Sequence, residues 1–184
     1  MDALKIYAIS LLVFAMATGV AVWWIAGITP ENLKQREQLP RKVFAGMVLA
    51  AIDLLWCIPH TKPLLPEWLH VYLLPTAVVL AVVAFLYLDY LFSRAIGGFF
   101  ILLAYYFLHE SFTFHSPAAP FFSLFCFALG IVGIFFSGKP YLMRDAIRLA
   151  ARSRYYKYML AALTAGFGLF SLLLGILHLT GRAG

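Results

Sequence analysis

Residues 120–136, PFFSLFCFALGIVGIFF, run into residues 137–157, SGKPYLMRDAIRLAARSRYYK, and then into residues 158–179, YMLAALTAGFGLFSLLLGILHL. Two apolar runs thus flank a gap that holds Lys139, Arg144, Arg148, Arg152, Arg154 and Lys157. At about 1.5 Å of rise per residue, each outer run is long enough to cross the hydrocarbon core of a bilayer, the first of them only just. Lipid offers no hydrogen-bond partner to peptide groups, so both must be helices whatever their content of Val, Ile and Phe.

Working towards the N-terminus, four more runs share this character: about residues 4–28, 43–58, 68–92 and 95–112. With 120–136 and 158–179 they make six. Hydrophobic residues are 64% of the 184 positions and charged residues 12%, too little polar material to clothe a water-soluble domain. The expected fold is therefore all-α: a single polytopic membrane helical bundle of about six transmembrane helices, with a basic amphipathic cytoplasmic segment between the last two. Pro75 removes a helix hydrogen bond near the start of the third run and is expected to kink it.

Charge orients the bundle. Of the 14 lysines and arginines, all but Lys5, Lys62 and Arg182 fall in alternate gaps: Lys34, Arg36, Arg41 and Lys42 after the first run, Arg94 after the third, and the six named above after the fifth. The positive-inside rule places these gaps in the cytoplasm and both termini outside it, in the inner membrane of a bacterium. An even number of spans is what that arrangement requires. The first run is too long for a signal-peptide core, and Asp2 cancels Lys5 ahead of it, so it reads as a retained helix. The net charge of +6 is accounted for by topology and by anionic lipid, and no zinc-finger or phosphate-loop spacing points to nucleic acid.

Within the long basic gap, Arg144, Arg148 and Arg152 recur every four residues, and Arg154 follows. Leu142, Met143, Ala146, Ile147, Leu149 and Ala150 fill much of the remaining surface, which makes a basic amphipathic helix fit to lie on the membrane. The alternative is a charged stretch continuous with a long sixth helix.

Polar groups inside the spans carry the functional expectations. Asp53 lies ten residues after Val43, about 15 Å along its helix and close to the bilayer midplane, so it is expected to face the bundle interior. Asp89 falls near the cytoplasmic end of the third run, within reach of Arg94. His109 and Glu110, with Tyr105, Tyr106 and Ser111, form the most polar stretch in any span. On the deduced topology His60, His70, His109, His115 and His178 share the non-cytoplasmic level. Convergence of two among His70, His109 and His178 would supply ligands for a metal or haem, or contacts for a quinone headgroup.

Other chemistries lack their residues. Cys57 and Cys126 form no Cys-x-x-Cys pair, and differing depths argue against a disulfide between them. Neither a His-Glu-x-x-His motif nor a Gly-x-Ser-x-Gly elbow occurs. Small residues recur at four-residue spacing in Ala15 and Gly19, Gly46 and Ala50, Ala161 and Ala165, and Ala162 and Gly166, which permits close helix packing. The first expectation is a small integral membrane protein that binds or assembles with other membrane subunits and lipid. A haem- or quinone-binding redox subunit and an ion or solute carrier are the alternatives.

Overall fold

A computed structural model describes residues 3–116 and 119–180. Asp2 and Arg182, used in the charge argument, lie outside the described residues. Every regular element among those described is helical: α1 Ala3–Ala26, α2 Leu33–Arg36, α3 Val43–Thr61, α4 His70–Tyr87, α5 Leu91–Thr113, α6 Ala119–Gly138, α7 Tyr141–Arg152 and α8 Arg154–Leu179. Six segments are long and apolar enough to cross a membrane: α1, α3, α4 with its preceding turn, α5, α6 and α8. The chain is an all-α polytopic membrane protein.

Two boundaries differ from the sequence reading. The third span ends at Tyr87 and the next begins at Leu91, so Asp89 is not in a helix but in the exposed turn between them. Leu88 is extended there and Tyr90 adopts a left-handed φ of 57°, which reverses the chain within three residues. Arg94 belongs to the first turn of α5 instead of to a gap. At the other basic gap, Ser153 is extended and its hydroxyl accepts a hydrogen bond from the Tyr156 amide, capping α8. This cap separates α7 from α8 and sets aside the continuous helix. Met143, Ile147 and Ala150 form the buried stripe of α7, while Arg148 and Arg152 are exposed.

The described helices belong to two compact units. The first draws on residues within 1–36, 106–127 and 146–184. Here α1 and α8 run antiparallel: Tyr7 meets His178, Phe14 meets Phe167, and Lys157 Nζ donates to the Ile28 carbonyl at 3.2 Å. The start of α1 therefore lies beside the end of α8, as an even number of crossings demands. Gly175 brings the two backbones together, since a Cβ there would stand 3.2 Å from the Ala8 carbonyl oxygen. Phe107 packs between Phe14 and Phe122 at ring separations of 5.1 and 5.9 Å. Lipid tails are as apolar as these rings, so the core is held by shape and dispersion more than by hydrophobic transfer.

The second unit comprises Glu37–Tyr105 and Ala128–Asp145. Its small residues set the helix contacts. Gly46 of α3 lies against the backbone of Leu91 and Phe92, and Gly97 of α5 lies against the Gly133 carbonyl oxygen and the Ser137 amide nitrogen of α6. α3 runs parallel to α5, and α6 antiparallel to it. α4 packs on α3.

Two cations, Arg36 after α1 and Arg94 in the first turn of α5, end on carbonyls that helices leave unpaired at their C-terminal turns. Arg36 donates to the Trp24 carbonyl at 2.8 Å and lies 4.8 Å over the Trp24 ring, and Arg94 donates to the Ser137 carbonyl at 2.9 Å. These two side chains thus cap the ends of α1 and α6.

Candidate functional site

Asp53 is 8% exposed, and its Oδ1 has no hydrogen-bond partner among the described residues. Across from it on α5 stands Gly98, where a Cβ would come within 3.2 Å of Asp53 Oδ2. The missing side chain at Gly98 is what makes room for the carboxyl group. Cys57 and His60 follow at i+4 and i+7, so they share the Asp53 face of α3. Exposure rises along this face from buried Asp53 through partly exposed Cys57 to exposed His60. The His60 ring meets Tyr105 of α5 edge-on at 5.4 Å and 83°. In the opposite direction the same face reaches Gly46, where α3 and α5 touch backbone to backbone.

The first unit holds a separate polar cluster. His178 is 6% exposed and its Nε2 is hydrogen-bonded to the Ser116 hydroxyl. Tyr7 is fully buried, stacks on Phe114 at 5.5 Å and meets the His178 ring at 5.3 Å. Its hydroxyl faces those of Ser111 and Ser116 but closes a bond of normal geometry with neither. The Ser116–His178 hydrogen bond ties the turn after α5 to the end of α8, and the Tyr7 ring packs α1 against both.

The remaining candidates have partners of their own. His70 Nε2 lies 2.9 Å from the Lys62 carbonyl and 3.1 Å from that of Leu65, fastening the turn before α4. His109 Nδ1 is 3.6 Å from Glu110 Oε1, with the histidine side chain 59% exposed. Among the described residues, no three His, Cys, Asp or Glu side chains gather to hold a metal ion. Both cysteines are free. Of the basic patch, Arg144 is half-buried with Nε 3.6 Å from Asp145, whereas Arg148, Arg152 and Arg154 are exposed.

Outside the spans, Arg41 donates to the Tyr90 hydroxyl at 2.8 Å and lies 5.1 Å over its ring. The Arg41 hydrogen bond lowers the Tyr90 phenol from its ordinary value.

Sequence reasoning singled out Asp53 but not Cys57 and His60 as its companions, although the 53, 57, 60 spacing was there to read. Tyr7 and Ser116 carried no signal, because single hydroxyls are common in membrane helices. No family model matches the chain, and no characterised protein or solved structure is significantly similar to it.

Proposed function

We propose that the protein is a binding or assembly component of a complex in a bacterial inner membrane, with both termini on the non-cytoplasmic side and α7 against the anionic cytoplasmic leaflet. One observation carries the reading. α4 packs on α3 and leaves Val71, Val79, Leu80, Val83 and Leu86 exposed, so they surround much of its circumference. Of the six spans it is the least buried. An apolar helix held along one side can exchange lipid for another transmembrane helix at little cost, because both solvents are equally apolar.

Photo-crosslinking residues at Val79 and Leu86, in the full chain expressed in its own membrane, test this. The reading expects discrete protein adducts from both α4 positions and only lipid adducts from Val20 of α1 and Phe127 of α6, which are also exposed. Lipid adducts alone from α4 would overturn it.

A further inference from the structure

The Asp53 face of α3 supports an inference independent of any assembly role. A carboxylate held at that depth without a donor is costly in hydrocarbon. Asp53 Oδ1 is unpartnered among the described residues, and Oδ2 lies 3.2 Å from the place a Cβ on Gly98 would take. Its titratable surroundings are few. On α3 there are Cys57 one turn and His60 two turns further on, and on α5 there is Tyr105 beside His60. Arg94, about one turn before Gly98, is engaged by the Ser137 carbonyl. α4 brings Tyr72, with Tyr87 at its far end and His70 at its start, where the ring is held by the Lys62 and Leu65 carbonyls. No cation is therefore placed to hold Asp53 ionised.

The two directions along this face are unequal. Towards the start of α3, Gly46 lies so close to Phe92 that an added Cβ would be 2.5 Å from its amide nitrogen, which leaves no space for water. Towards the end of α3 the face passes Cys57 and opens at exposed His60. We propose that Asp53 is a reversible proton-binding site that exchanges with the aqueous phase at the His60–Tyr105 end of the α3–α5 pair and is closed at the Gly46 end. The ligand is a proton, and the exchange is a simple acid–base equilibrium: the carboxyl O–H bond breaks, the proton passes to water, and the carboxylate keeps the electron pair.

The test uses the full chain reconstituted in lipid vesicles. Dicyclohexylcarbodiimide is apolar and adds to a protonated carboxyl group, taking up its proton and forming a stable acylurea with no leaving group. Mass spectrometry of peptides is expected to find the adduct on Asp53, with labelling that falls about tenfold per pH unit once pH passes the titration point. A small water-soluble maleimide is expected to modify Cys57 while sparing buried Cys126. Absence of the Asp53 adduct at every pH, in samples where Glu110 is modified, would overturn the proposal. A Cys57 as inert as Cys126 would overturn the stated route, and pH-independent Asp53 labelling would refute reversible exchange.

Discussion

Replacing single glycines by alanine separates contacts that hold the bundle from small residues that are merely frequent. At Gly46 a Cβ would stand 2.5 Å from the Phe92 amide nitrogen, 2.8 Å from the Leu91 carbonyl carbon and 2.9 Å from the Phe92 Cα. At Gly97 it would meet the Gly133 carbonyl oxygen and the Ser137 amide nitrogen, both at 2.6 Å. All of these are backbone atoms, which no rotamer change can withdraw. Overpacking costs about 1–3 kcal/mol, and alanine returns about 1 kcal/mol of helix propensity. With several backbone atoms inside 3 Å, the upper end applies, leaving a net loss near 2 kcal/mol. At about 2–4 °C per kcal/mol for a chain of this size, Gly46→Ala and Gly97→Ala should each lower the melting temperature in detergent by about 4–8 °C. Gly19 and Gly166 have nothing within 4 Å of the same position, so Gly19→Ala and Gly166→Ala should be neutral or slightly stabilising. Thermal unfolding followed by size-exclusion and fluorescence reads all four. Equal melting temperatures across the series would refute the helix contacts drawn for the second unit.

A Cβ on Gly168 would collide with the Thr18 hydroxyl, so Gly168→Ala should destabilise by about 1–2 kcal/mol and Thr18→Ala should restore most of the loss in the double variant. His178→Ala removes the partner of Ser116 and opens space beside Tyr7; a loss of about 2–4 kcal/mol is expected, and a smaller one for His178→Gln, by the same melting assay. The Tyr90 phenol should ionise below the ordinary tyrosine range, seen as the alkaline absorbance difference between wild type and Tyr90→Phe, and Arg41→Gln should move it back up. The sign is that of a depressed acid: the Arg41 contact favours folding once Tyr90 is ionised, and this contribution disappears as pH falls through the folded-state value.

The positions of the apolar helices along the chain were legible in the sequence, and direction around each helix was not. Hydropathy located six spans because long apolar runs of helical length are visible in the linear chain. The same averaging could not find the turn at Asp89, where charged residues sit within a few positions of apolar ones and the left-handed residue is Tyr90 instead of a glycine. Four-residue spacing of small residues picked out Gly46, which does meet a backbone, but also Gly19 and Gly166, which meet nothing; it passed over Gly168 and Gly175, which lie against α1. Spacing defines a face of one helix and leaves its neighbour unnamed. For the same reason the engagement of His178 with Ser116 and of His70 with the carbonyls of Lys62 and Leu65 could not be read from spacing, because it depended on rotation and on irregular turns.

The six-span arrangement is tested most directly by reporter fusions placed after Leu33, Pro63, Ser137 and Thr180 in the otherwise intact chain. Fusions after Leu33 and Ser137 should be active as cytoplasmic reporters, and those after Pro63 and Thr180 as non-cytoplasmic ones, because the start of α1 lies beside the end of α8, Ile28 meets Lys157 at their other ends, and basic gaps favour the cytoplasm. A cytoplasmic signal after Thr180, together with a non-cytoplasmic signal after Ser137, would contradict the account.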